Sequence, residues 1–136
     1  MPDKPRDAVL KLIRLTQDGK VEWQVERKFH YTTKDQQDDR IATAFTTSYM
    51  GKNLILYERI YKAYRLRTGA FRDLLHTSKY EEYWDSEVVL EIVDKGTTLW
   101  AFPKGSSQRE LLSSVQYQVA GVKDFLDEIL SEDDSE

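Results

Sequence analysis

Metal-dependent cleavage of a phosphodiester needs carboxylates on neighbouring strands to hold the cation. A lysine two positions from one of them often steadies the charge that develops in the transition state. Glu26-Arg27-Lys28 offers such a triplet, and Asp85, Glu87, Glu91 and Asp94 lie on or beside another strand-like stretch. The same acids alternate with Val88, Leu90 and Ile92, which is equally how the solvated face of a strand reads. An acid-x-lysine triplet also arises by chance in a chain whose residues are 32% charged, so a metal-dependent nuclease ranks as the third function class. The two histidines, His30 and His76, stand 46 positions apart with no local support for a catalytic base, and read as loop or surface residues. No nucleophile elbow, phosphate loop or paired-histidine zinc motif occurs. The residues therefore nominate no catalytic group, no metal ligand and no cofactor.

The sharpest feature is binding chemistry. On a strand reading, Tyr57, Arg59, Tyr61, Arg65 and Arg67 share one face, together with Ala63. Leu54, Leu56, Ile60, Tyr64 and Leu66 take the opposite, core-like face, interrupted by Glu58 and Lys62. Aromatic rings interleaved with arginine on an open sheet can stack bases and hold phosphates, as single-strand binders do. Tyr and Arg are also the side chains enriched in protein–protein hot spots. They also stabilise one another across antiparallel strands with no partner at all.

Charge helps to rank these readings. The net charge of −4 argues against a general nucleic-acid binder, which needs a surplus of cations. That mean hides two patches: Arg59 to Arg72 holds five basic residues and no acid, whereas Lys123 to Glu136 holds seven acids and one lysine. With no cysteine, a disulfide-built secreted scaffold and thiolate chemistry are both excluded. The N-terminal residues lack a signal-peptide pattern, and no apolar run reaches the ~20 residues of a membrane span. These features read as a cytoplasmic protein without a membrane partner.

The elements that would position these residues follow from periodicity. Val9, Leu12 and Ile13 recur at helical spacing between Pro5 and Gln17, with Asp3 or Lys4 at the cap and Gly19 as the stop. Val21, Trp23, Val25 and Phe29 alternate with polar residues as a strand with one wet face, and a polar loop spans 30–39. Residues 40–50 and 54–66 form a hairpin about Gly51-Lys52-Asn53. The stretch 67–86 reads as a long loop in which Tyr80, Tyr83 and Trp84 fold back on the core. A second hairpin, 87–93 and 97–102, turns at Asp94-Lys95-Gly96. Ser107 and Glu110 form a capping box in front of one long helix, whose seam runs Leu112, Val115, Val119, Val122, Leu126 and Ile129. Gly121 sits inside that helix, where close approach of another element would account for it. Trp23, Trp84 and Trp100 are expected in the core or at its edge.

The fold class is thus α+β: an N-terminal helix, an antiparallel sheet of about five strands in two hairpins, and a long C-terminal helix packed on one face. Residues 1–130 make a single domain, and 131–136 an acidic, disordered tail. In outline this architecture resembles PUR-like single-strand binders, a likeness of element order without their sequence motifs. The function expected first is a small non-catalytic protein-interaction module: an adaptor, inhibitor or immunity-type partner of a larger protein. A single-stranded nucleic-acid-binding domain using the Tyr/Arg face is the alternative. A homo-oligomer through the outer edge of the C-terminal helix is a further expectation.

Overall fold

The computed structural model describes residues 3–27, 40–66 and 80–132. His30, His76, Lys28, Arg67, the loop 30–39, residues 67–79 and the tail from 133 lie outside them.

Helix α1 (Lys4–Gln17) begins where the Asp3 side chain accepts the Arg6 backbone N–H at 3.1 Å, and it ends before Gly19 in the left-handed region. Its buried stripe is Val9, Leu12, Leu15 and Thr16. Of the strand expected over 21–29, the described part, 21–27, holds β1 (Gln24–Val25). Val21 and Trp23 are drawn into the core instead, and the Trp23 N–H is taken by the Gln118 side chain rather than by a neighbouring strand.

Two long hairpins build the sheet: β2 (Arg40–Tyr49) with β3 (Lys52–Leu66), and β4 (Tyr80–Asp94) with β5 (Thr97–Ala101). Both turns place two successive residues at positive φ, Met50-Gly51 and Lys95-Gly96, the backbone twist that two-residue hairpins favour. The first turn therefore sits one residue earlier than Gly51-Lys52-Asn53. The strands run in the order β1-β2-β3-β4-β5, all antiparallel. The largest departure from expectation is at Tyr80, Tyr83 and Trp84. They belong to β4 and pair with β3 as far as Leu66↔Tyr80, rather than lying in a loop.

The C-terminal helix is two helices. α2 (Ser107–Val119) ends at Ala120, and Gly121, at φ +65°, caps α3 (Val122–Ser131). The apolar spacing runs unbroken across this point, so periodicity alone reads through it. Only the glycine's left-handed backbone interrupts the helix. Among the described residues no other element comes within 4 Å of where a Gly121 Cβ would be, so conformation and not close approach accounts for it. The expected capping box is also absent: Ser106 is the cap, without a side-chain bond, and Gln108 Nε2 donates to the Pro103 carbonyl at 2.6 Å.

Both α1 and α2 lie on one face of the sheet. Val9, Leu12, Leu15, Leu111, Leu112 and Val115 meet Phe45, Leu54, Leu56, Val88 and Leu90 there, with Val21 and Trp23 closing the end. A three-pronged contact locks this layer. Gln118 Oε1 accepts the Trp23 N–H (2.8 Å), while Nε2 donates to the carbonyls of Thr16 (3.0 Å) and Val21 (2.8 Å). The Trp23 indole N–H donates to Thr16 Oγ1. The opposite sheet face carries a small cluster of its own, where Ala44, Ile55 and Tyr57 bury one another against Ile41, Val89 and Val93. No helix among the described residues is long and apolar enough to cross a membrane.

Candidate binding surface

The Tyr/Arg face of β3 is the sheet face away from the helices, and β4 answers it residue by residue. Tyr57 is only 2% exposed and donates its hydroxyl to Glu91 Oε2 at 3.1 Å. Arg59 Nε donates to Glu87 Oε1 at 2.9 Å, with its guanidinium over the Tyr61 ring at 4.4 Å. The Tyr61 hydroxyl reaches Asp85 at 3.5 Å. Arg65 forms an ion pair with Glu81 and lies over the Tyr83 ring. The register explains this: Tyr57↔Val89, Arg59↔Glu87, Tyr61↔Asp85 and Arg65↔Glu81 are directly opposed, so the basic strand faces an acidic one. Four of the five nominated residues thus share one face, with their charges met within the sheet, and Arg67 is outside the described residues.

Glu87 is the centre of this arrangement. Arg59 and Glu87 expose only 13% and 16% of their side chains, and Lys104 Nζ, from the loop after β5, comes within 2.7 Å of Glu87 Oε2. Burial alone would raise the Glu87 carboxyl, but the hydrogen bond and charge of Lys104 and the charge of Arg59 outweigh it and hold it below the usual carboxylate range. The same hydrogen bond to Glu87 pushes the Lys104 ammonium up. Burial, then the Asp85 and Glu87 carboxylates, raise the Tyr61 phenol. This cluster is an electrostatic clasp. It holds the β5–α2 loop against β4, and its acid is already occupied.

The surface that sequence reasoning missed lies on the other face of the same ribbon. The helix-side positions Leu56 and Leu90 are fully buried under the helices. One step along, Arg109 ties α2 to Glu58 and Ser86. Among the described residues the helix layer ends beyond that tie, but β3 and β4 continue as a paired ribbon, because β3 spans fifteen residues against ten in β2. The pairs Lys62↔Trp84, Tyr64↔Glu82 and Leu66↔Tyr80 carry the core face out into solvent. Tyr64, Leu66, Tyr80 and Trp84 are 48–60% exposed there. The cations of Arg40 and Lys62 sit 5.0 and 5.4 Å from the Trp84 ring centre, and Lys62 also pairs with Glu82. Trp84 is thus not a core residue. The only sequence signal for this surface was the unequal length of the first hairpin's arms.

Other features offer less. A groove of about 500 Å³ opens where α1, α2 and α3 meet, lined by small polar side chains and Tyr117, with Lys123 and Asp124 as its only charges. No group of three or more His, Asp or Glu among the described residues is placed to hold a metal ion. Glu87 is engaged with Arg59 and Lys104, and Glu91 with Tyr57 and Thr98. Compared with known proteins, the chain matches no family model, no curated protein and no solved structure. The outline likeness to single-strand binders gains no support from them.

Proposed function

We propose that this chain is a small non-catalytic protein-interaction module, an adaptor, inhibitor or immunity-type partner, working in the cytoplasm and binding through the aromatic face of its β3–β4 ribbon. The observation that carries the reading is the core face continuing past the helices with Tyr64, Leu66, Tyr80 and Trp84 exposed together. Tyr and Trp bring large contact area at low conformational cost, and they anchor interfaces when a partner excludes water around them. Arg40 and Lys62 over Trp84 pre-set the ring's position, which lowers the ordering cost of binding.

Single-stranded nucleic acid is the second reading, favoured by three exposed rings beside two cations. Glu81, Glu82 and Asp85 on the same ribbon weigh against it, since each repels phosphate. The test is quantitative affinity capture with wild type, Tyr64→Ser/Trp84→Ser and Arg65→Ala, beside fluorescence anisotropy with single-stranded DNA and RNA at ~50 and ~200 mM salt. The expected result is a protein partner lost with the ribbon variant and kept with Arg65→Ala. Salt-sensitive nucleic-acid binding that the ribbon variant abolishes would overturn the protein reading in favour of the second. Identical captures by all three chains would overturn the ribbon as the site.

A further inference from the structure

We propose that the ribbon face is covered by helix α3 of a second copy of this chain, each copy lending its α3 to the other's ribbon. The inference rests on the ribbon as recognition surface, and it names the chemistry that covers it.

Two observations define the match. Helix α3 has no buried residue, and Phe125, Leu126, Ile129 and Leu130 on one side of it are 43–83% exposed. With Val122 they occupy one arc of the helix, and its main packing partner is the end of α2. The ribbon is a second uncovered apolar face. A helix of ten residues is about 15 Å long, and the bare stretch of β3 from Ile60 to Leu66 is about 20 Å, so one fits along the other. Their charges are opposite. Around its apolar arc α3 carries Asp124, Asp127, Glu128 and Glu132 against Lys123, whereas the ribbon face carries Arg40 and Lys62 against Glu82.

Charge also argues against the two like-with-like arrangements. Pairing α3 with α3 would bring two strongly acidic helices together. The edge of β4 before Leu90, which β5 does not reach, could in principle pair with its own copy. A two-fold antiparallel pairing sets each residue opposite one of the same sheet face. Every such register centred from 81 to 87 then puts acid opposite acid: Glu81, Glu82, Asp85 or Glu87 on itself, Glu81 on Asp85, Glu81 on Glu87, or Asp85 on Glu87. The edge is guarded further where Asp85 Oδ1 accepts the Ser86 N–H. Of these three arrangements, helix-on-ribbon alone joins apolar to apolar and acid to base. Made reciprocally, it closes as a two-fold dimer rather than an open chain.

The test uses the full chain and two surface variants, Phe125→Ser/Ile129→Ser on α3 and Tyr64→Ser/Trp84→Ser on the ribbon, with circular dichroism and thermal melting to verify that each folds. Wild type should sediment at twice the chain mass and move toward the single-chain mass as salt rises. Each variant alone should sediment as a single chain. Mixed, donor- and acceptor-labelled copies of the two variants should regain energy transfer, because one intact α3–ribbon contact remains between them. A monomeric wild type overturns the proposal, as does a dimer that the ribbon variant leaves intact, which is the result α3–α3 pairing would give. Absence of energy transfer in the mixture overturns it too. A monomer that still captures a partner through the ribbon would overturn this inference alone and leave the functional reading standing.

Discussion

Gln118 offers the most direct check of how the helix layer is held. Its amide satisfies three backbone groups from two segments: the Trp23 N–H and the Thr16 and Val21 carbonyls. In Gln118→Ala these groups lose their partner in a part-buried position. Leaving one buried polar group unsatisfied costs about 1–3 kcal/mol. Three groups with partial access to water sum toward the lower end, a loss of about 2–4 kcal/mol. That is a large fraction of the ~5–15 kcal/mol that holds a domain together. For a chain of 136 residues it lowers Tm by about 8–16 °C, taking roughly 4 °C per kcal/mol. Gln118→Glu keeps the acceptor for Trp23 but turns a carboxylate toward two carbonyls. It should be at least as damaging at neutral pH and should recover in part in acid, where the protonated carboxyl can donate again. The assay is urea unfolding followed by Trp fluorescence, with the denaturant slope checked for constancy. A loss below about 0.5 kcal/mol for Gln118→Ala, the level of an ordinary surface substitution, would refute the claim that this side chain locks the layer.

Three further outcomes follow from the ion pairs, the core and the helix break. Because the Glu87 carboxyl is held low by Lys104 and Arg59 against the cost of its burial, its ion pairs stabilise the fold fully above the unfolded carboxylate pKa. That contribution is lost as pH falls through the lower, folded value. Acid unfolding below about pH 4 should therefore be shallower in Glu87→Gln, and a steeper acid transition would contradict the assignment. Leu56→Ala or Leu90→Ala, each removing a side chain with no exposed surface, should cost about 2–5 kcal/mol in equilibrium unfolding. Gly121→Val should cost about 1–2 kcal/mol more than Gly121→Asn by thermal melting, since Asn tolerates the left-handed backbone and a β-branched side chain does not. Equal costs would mean that α2 and α3 fuse in both variants.

Local pattern sufficed for the α+β class, the five antiparallel strands and both hairpins, and it narrowed the first cap to Asp3 or Lys4, because each depends on residues close together in the chain: alternation, two-residue turns, a cap before a helix. It also placed Tyr57, Arg59, Tyr61 and Arg65 on one face, since the period of a strand is two. It failed where the apolar spacing reads through a local break, and where a decision needed two distant segments at once. The run Val119, Val122, Leu126 is continuous in sequence, and only the conformation of Gly121 divides it. Trp84 looked like a loop or core residue because nothing near it shows that it pairs with Lys62.

What the order of residues decides by itself is which side chains share a face, where the chain must turn, and how charge is distributed along it. The tertiary structure alone decides which faces are covered and which charges cancel. Arg59 and Glu87 are 28 positions apart, and their opposition depends on the register of β3 against β4. The exposure of Tyr64 and Trp84 depends on where Arg109 ends the helix layer. Burial and ion pairing are relations between segments distant in sequence, set by how far each layer reaches, and periodicity within one segment carries no record of them.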